Sequence, residues 1–486
     1  MSKSNGLFLS LILLFVVSSS VSSPRSLVFG SPVPEQRYNR PDPLSHFKYY
    51  NGDYDVRNKH YWASAAFTGV HGYAIAGIWI LCGLGFGTFM IVKNLSSSSS
   101  PITGHSDSYY FIPLLLVVLF TSLVIVATSF VLATNQSSLW RTKKLKETLL
   151  GAVQDARRTI RKVTRVMKEM HHLLRPYDPR ICFRLNSTSH KLEKESKIIQ
   201  QVVHKNQHSI DHAIQTSYLV TVVVVSINVA LVLAALVLLL LHYRPGFIMI
   251  IFLCWVLTAL CWVLTGFHFF LHTFAEDTCS AFEEFERNPT NNSLSSMLPC
   301  VDQVYADQIM VEIGSTIHNF INELNLKITM LSRLFELDEH GEDLLSGIRK
   351  ICDPFSGAPD YLYSPSKCPK DAIPIGDIPN VLARFTCYRD NSTGTCKGGR
   401  SFLSEASFEM AWAYTHSIQG LLNVLPDLQS LTQCSFVKDT LANVVTHQCR
   451  PFRVSIRLLW SSMLSLSVIM LVLVLAWVAK SYQDRG

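Results

Sequence analysis

Three histidines, His204, His208 and His212, recur every fourth residue, and on a helix that spacing places them on one face. Imidazoles so aligned can take up a metal ion or gain charge at acid pH. No cysteine or carboxylate set stands beside them to complete a coordination shell. The simpler reading is the polar face of a surface helix, and neither a metal nor a cofactor is assigned. The glycine loop that cradles phosphates, the HExxH and GxSxG signatures and the dinucleotide fingerprint are all missing. No catalytic residue is assigned, and the chain reads as non-enzymatic.

Cysteines and asparagines carry the remaining chemistry. Of 12 cysteines, eight crowd one late segment: Cys279, Cys300, Cys352, Cys368, Cys387, Cys396, Cys434 and Cys449. Cys182 stands in an earlier one. No paired CxxC spacing supports zinc, so the set predicts disulfides formed in an oxidising compartment. Nine is an odd number, and two readings stand. Either Cys182 pairs across to the late segment and another thiol stays free, or one cysteine joins two chains in a homodimer. Glycan acceptor sequons head at Asn135, Asn186, Asn291 and Asn391. Asn94 heads another but abuts an apolar run and is expected to stay unmodified; Pro289 disqualifies Asn288.

Five apolar runs must position these groups: Phe67–Val92, Phe111–Thr134, Tyr218–Leu241, Phe247–Leu271 and Leu458–Ala479. Each is long enough for a helix to cross the hydrocarbon, which takes about 20 residues. Only 16% of the chain is charged, which argues against five buried core helices. Ahead of the runs, Lys3, the apolar stretch Leu7–Val17 and the small residues Ser18–Ser23 form a secretory signal, residues 1–23, cut near Ser22 or Ser23.

Removal of the signal starts the chain outside the cytosol, and five crossings end it inside. Residues 24–66, 135–217 and 272–457 are then extracellular; 93–110, the turn 242–246 and the tail 480–486 are cytosolic. The four sequons and nine cysteines all fall on the exterior side of this scheme. The short cytosolic pieces lean positive through Lys93, Arg244, Lys480 and Arg485, in the expected direction. The layout predicts delivery to the plasma membrane by the secretory pathway, and it excludes nucleic acid as a partner despite a net charge of +7.

The exterior pieces read as helices. Leu149, Val153, Ala156, Ile160, Val163, Met167, Met170 and Leu174 keep a heptad seam, which Pro176 and Pro179 break. A turn through Cys182 and Asn186 leads to a more polar seam, Leu192, Ser196, Ile199, Val203, Asn206, Ile210 and Ala213. No Pro or Gly separates either seam from its membrane run, so crossings two and three should continue outward as rods projecting roughly 55 Å. Ile313, Ile317, Phe320, Leu324, Ile328, Leu331 and Phe335 predict another helix. Residues 352–400, rich in Pro, Gly and Cys, predict an irregular, disulfide-stapled cap. Helical pattern resumes near Ser404 with a break near Pro426. The fold class is all-α and membrane-integral.

Residues 135–216 hold 17 Lys/Arg against 7 Asp/Glu, whereas 273–457 hold 15 against 23. Opposite fields favour side-by-side packing of the two segments. Within the membrane runs, acids and bases are nearly absent, which disfavours a proton or ion pump; His71 and His268 near run ends are read as interfacial. Gly69, Gly72, Gly77, Gly83, Gly85 and Gly87 enrich the first run, and Gly83 with Gly87 forms a GxxxG suited to close helix packing. Cys254-Trp255 and Cys261-Trp262 repeat at heptad distance in the fourth. Val478, Tyr482 and Arg485 fit a loose sterol-contact pattern.

This topology resembles two groups of five-pass glycoproteins, prominins and tweety homologues, and the layout of fungal mating-fusion membrane proteins; the sequence looks most like a plant family of five-pass transmembrane proteins. Phe267–Cys279 resembles the exit of the fourth crossing in tweety homologues, where an acidic residue and a Cys also follow the membrane. The resemblance implies membrane organisation: shaping, contact with lipid or sterol, or membrane–membrane contact and fusion. An anion channel or lipid conduit of tweety-like type is the alternative it implies. The tweety basic pore motif is not found here, so no pore residue is carried over.

Overall fold

The computed structural model describes residues 38–96, 111–241, 243–288, 292–294, 303–336, 350–369, 372–383, 386–387, 403–432 and 435–483. The signal, Asn291, Asn391, Cys300, Cys396 and Cys434 lie outside them. The architecture is mostly helical. A short antiparallel ribbon, β1 (Arg40–Asp42) and β2 (Lys48–Tyr50), leads into α1 (Lys59–Phe67) and α2 (Val70–Ser96). Two very long helices follow, α3 (Phe111–Leu174) and α4 (Pro179–Leu240), then α5 (Arg244–Arg287), α6 (Gln303–Glu336), a five-residue α7 (Ile378–Leu382), α8 (Glu405–Thr432), α9 (Ser435–Val444) and α10 (Arg450–Gln483).

Five of these, α2, α3, α4, α5 and α10, are long and apolar enough to cross a membrane, the architecture of a multi-pass membrane protein. In hydrocarbon every backbone N–H and C=O must be satisfied within the segment, which a helix does. Helices α3, α4, α5 and α10 close a four-helix ring in that order, and α2 lies outside it against α5. Two seventh-residue patterns hold the ring: Val117, Val124 and Val131 on α3, and Leu459, Met463, Leu466, Met470, Leu473 and Trp477 on α10, all buried. The second is a complete heptad seam, so the last span is also the most enclosed. Around it Leu84, Val126, Leu219 and Phe252 stay exposed, as an apolar belt facing lipid should. Trp140 marks where α3 leaves the belt; its ring lies under Arg141 and Lys144, the amphipathic arrangement of a membrane interface.

Helices α3 and α4 run unbroken from span to projecting body, as the missing breakers predict. The inward seam of α3 is buried at Ile160, Val163, Met170 and Leu174. On α4 the lower seam is open: Asn206, Ile210 and Ala213 are exposed. The connecting turn is shorter than expected. Asp178 caps α4 by accepting from the N–H groups of Arg180 and Ile181, and Pro179 occupies the first turn, where its missing donor costs nothing. Cys182 and Asn186 therefore sit inside the helix rather than in the turn.

The expected break at Pro426 is also corrected. Pro426 lies exposed within α8, directly after buried Leu422, Val424 and Leu425; the packing of that preceding turn holds the helix through the lost hydrogen bond. α8 ends at Thr432, and a π turn at Val445–Cys449 precedes α10. Three smaller cores stack away from the ring: one around Tyr61, Cys279, Phe282 and Phe452, one joining α6, α8 and residues 351–378, and one at the tip around Leu174, Cys182 and Ala413. Among the described residues, a single ion pair, Lys162–Asp427, joins the basic hairpin to the acidic segment. Apolar packing of α8 on α3 does most of the joining.

Candidate functional site

The contact between α2 and α5 is built from glycines and tryptophans. A Cβ on Gly72 would lie 2.5 Å from the backbone N of Gly266, and one on Gly69 would lie 2.3 Å from the Gly266 carbonyl oxygen. Only glycine lets these two backbones meet. Two turns further along α2, Trp79 and Trp255 stack at 4.0 Å between ring centroids. The Trp255 indole fills the space beside Gly83, where a Cβ would lie 2.2 Å from Nε1; Gly87 has no neighbour within 4 Å of its Cβ position.

Beyond that stack the two helices part, and the end of α10 comes alongside. An apolar groove of about 580 Å³ opens there, lined by Gly83, Leu84 and Gly87 from α2, Phe252, Val256 and Leu260 from α5, and Val478 and Ser481 from α10. The Gly83–Gly87 motif thus packs on one side and forms a groove wall on the other. Val478 of the sterol-contact pattern lines the groove; Arg485 lies outside the described residues.

At the opposite end of α5, Asp277 is 3% exposed yet carries four oxygen contacts. Arg40 donates both guanidinium nitrogens to its carboxylate at 2.5 and 2.6 Å, and the Tyr61 hydroxyl donates to Oδ2 at 3.0 Å. The Tyr38 hydroxyl donates to the Asp277 carbonyl at 3.5 Å. Burial, and then the charge of Asp277, pushes the Tyr38 and Tyr61 phenols well above their ordinary range. Next along α5, Cys279 is disulfide-bonded to Cys449, and Arg453 pairs with Glu276 and Glu283. Residues 276–283 thus tie the ribbon, α5 and α10 into one knot beside the spans.

Between these ends the ring is threaded with buried polar groups. Thr221 contacts His268 Nε2 at 3.1 Å, Thr265 contacts Ser467 at 2.9 Å, and Thr134 contacts Ser462 at 3.1 Å. His268 Nδ1 and Asn228 Oδ1 have no partner. His268 is 1% exposed and so is not interfacial: it faces the ring interior, where Thr221 receives it. His71 is exposed.

The other sequence-derived sites separate into three groups. Cys352 is disulfide-bonded to Cys368, inside the expected irregular cap; Cys387 lies in a two-residue strand. Cys182 is a free, buried thiol, its burial pushing the pKa up. Asn186 is exposed near the tip. Asn135 is different: it is 4% exposed and its Nδ2 donates to the Tyr218 carbonyl at 3.2 Å. A glycan on that nitrogen would have to displace the Tyr218 contact. His204, His208 and His212 are exposed on α4, and among the described residues no group of three or more His, Cys, Asp or Glu could hold a metal ion.

The chain matches no protein-family model. No curated protein is significantly similar to it. Sequence reasoning missed Gly266 and the ribbon anchor Arg40; a lone glycine opposite two others, and a lone arginine ahead of the first span, give no periodic signal.

Proposed function

We propose that the protein is a non-enzymatic cell-surface glycoprotein that organises the surrounding bilayer by holding a lipid acyl chain or a sterol against α2 and α5. The observation that carries this reading is the groove of about 580 Å³, within the size range of ligand pockets, walled almost wholly by apolar side chains at span depth. In this reading the projecting body lies outside the cell, rising about 60 Å from residue 135 to residue 174, where it can meet a second membrane or a second copy of the chain. The exposed position of Asn186 and the two disulfides among the described residues support that orientation.

Photoactivatable sterol and phosphatidylcholine probes, added to the full chain in nanodiscs, test it. Cross-links should map to Gly83–Gly87 and Phe252–Leu260. A Cβ at Gly87 meets nothing within 4 Å, so Gly87→Leu can place its side chain in the groove, and it should lower labelling several-fold at unchanged thermal stability. Labelling spread evenly over all five spans would refute the reading.

Ion or lipid conduction is a second reading, favoured by the polar line Thr221, Asn228, Thr265, His268 and Ser467 inside the ring. It predicts flux in proteoliposomes that Asn228→Leu abolishes.

A further inference from the structure

The hairpin of α3 and α4 carries a second groove, and we infer that it binds a linear acidic polysaccharide. Arg157, Arg161, Arg165 and Lys168 follow one another along α3, Lys197 faces them from α4, and together they line an open groove of about 460 Å³. Two carboxylates, Glu169 and Glu193, line the same groove, and the cations outnumber them five to two. Lys168 and Lys197 share the Glu193 carboxylate at 2.9 and 3.3 Å, and Arg157 Nη2 donates to the neutral Gln200 at 2.7 Å. Among the described residues Arg157 Nε is buried without a partner, a donor left wanting an acceptor. Arg161 and Arg165 are exposed and enter no ion pair among the described residues. Among the described residues no α8 carboxylate pairs with a groove cation; the one α8–α3 ion pair goes to Lys162, outside the groove lining.

Three features select the ligand. The cations are strung out over about 17 Å from Arg157 to Lys168 rather than converging on a point, which suits repeating carboxylates or sulfates better than one phosphate. The groove is open along the hairpin, so a chain can lie in it. It begins roughly 35 Å beyond residue 134, out of reach of the headgroups of the protein's own bilayer. The inference rests on the exterior placement proposed above, where such polymers occur.

Binding of the full chain in detergent to immobilised polygalacturonate and heparin, at about 0.15 M and at higher salt, tests the inference. Saturable, salt-weakened binding is expected. Arg161→Gln combined with Arg165→Gln, both exposed, should weaken it about tenfold, with circular dichroism and melting unchanged. No binding to either polymer, equal binding by the double variant, or binding to vesicles with 30% phosphatidylserine in place of the polymers would each overturn it. A glycan found on Asn186 alongside failed polymer binding sinks this inference alone; an unglycosylated Asn186 reachable only from the cytosol sinks the exterior placement itself.

Discussion

Trp79 and Trp255 close each other's hydrogen bonds: each indole N–H donates to the other residue's backbone carbonyl, at 3.1 and 3.2 Å, while the rings stack within 9° of parallel. Each bond satisfies an indole N–H that would otherwise be lost from water without return. The pair is the main directional contact between α2 and the ring. Trp79→Phe and Trp255→Phe should each lower stability in detergent, and a double-mutant cycle should return a coupling of about 1 kcal/mol. Additive losses would show that the reciprocity contributes nothing.

Glycine substitutions along α2 should divide sharply. Gly72→Ala drives a methyl into the backbone of Gly266 and should cost about 1–3 kcal/mol, the range for overpacking. Gly77→Ala and Gly87→Ala meet open space and should melt within about 0.5 kcal/mol of the parent. Thermal unfolding in one detergent ranks all three.

Arg40→Gln should release the ribbon. It leaves Asp277 charged, buried and held only by Tyr61, a change that costs about 3 kcal/mol in comparable buried pairs. Hydrogen exchange should rise across residues 38–67 and stay unchanged in the tip. Uniform protection throughout would mean that aromatic packing around Tyr61 suffices to hold the segment.

Acid should loosen the same segment by another route. Burial raises the Asp42 carboxyl, but Ser45, His60 and the Leu44 N–H outweigh it and hold the pKa below the ordinary carboxylate value. The folded chain therefore binds this proton more weakly than the unfolded one. The stabilisation is present above about pH 3.9, the unfolded value, and is lost as pH falls through the lower folded value. Exchange in residues 38–60 should accelerate below about pH 4, and Asp42→Asn should remove that dependence.

Expression in a secretory host separates the two described sequons. Asn186→Gln should increase electrophoretic mobility by one glycan, and Asn135→Gln should leave it unchanged. A shift on losing Asn135 would require the α3–α4 packing at Tyr218 to open during synthesis.

Sequence periodicity disclosed what periodicity encodes. The spans, the continuous rods and the seam from Leu149 to Leu174 follow from spacing and from absent breakers. Contacts between distant segments left no such trace. Gly83 and Gly87 formed the recognisable motif, but the backbones touch at Gly72 and Gly266, because crossing geometry is set by both helices and only one was legible. Pro426 is a helix breaker by itself and a tolerated interior residue once Leu422 and Leu425 are packed. Asn135 satisfies the acceptor pattern locally, yet its burial comes from Tyr218, 83 positions away.

Helices α3 and α4 pass from the spans into the projecting body without a hinge, and the knot at Asp277 and Cys279–Cys449 fastens the base to a third and a fourth span. Such a body works as a lever. Force applied at the tip near Asn186 would meet no break in either helix at the base of the body, and the spans it would tilt pack on α5 and α10, two walls of the apolar groove.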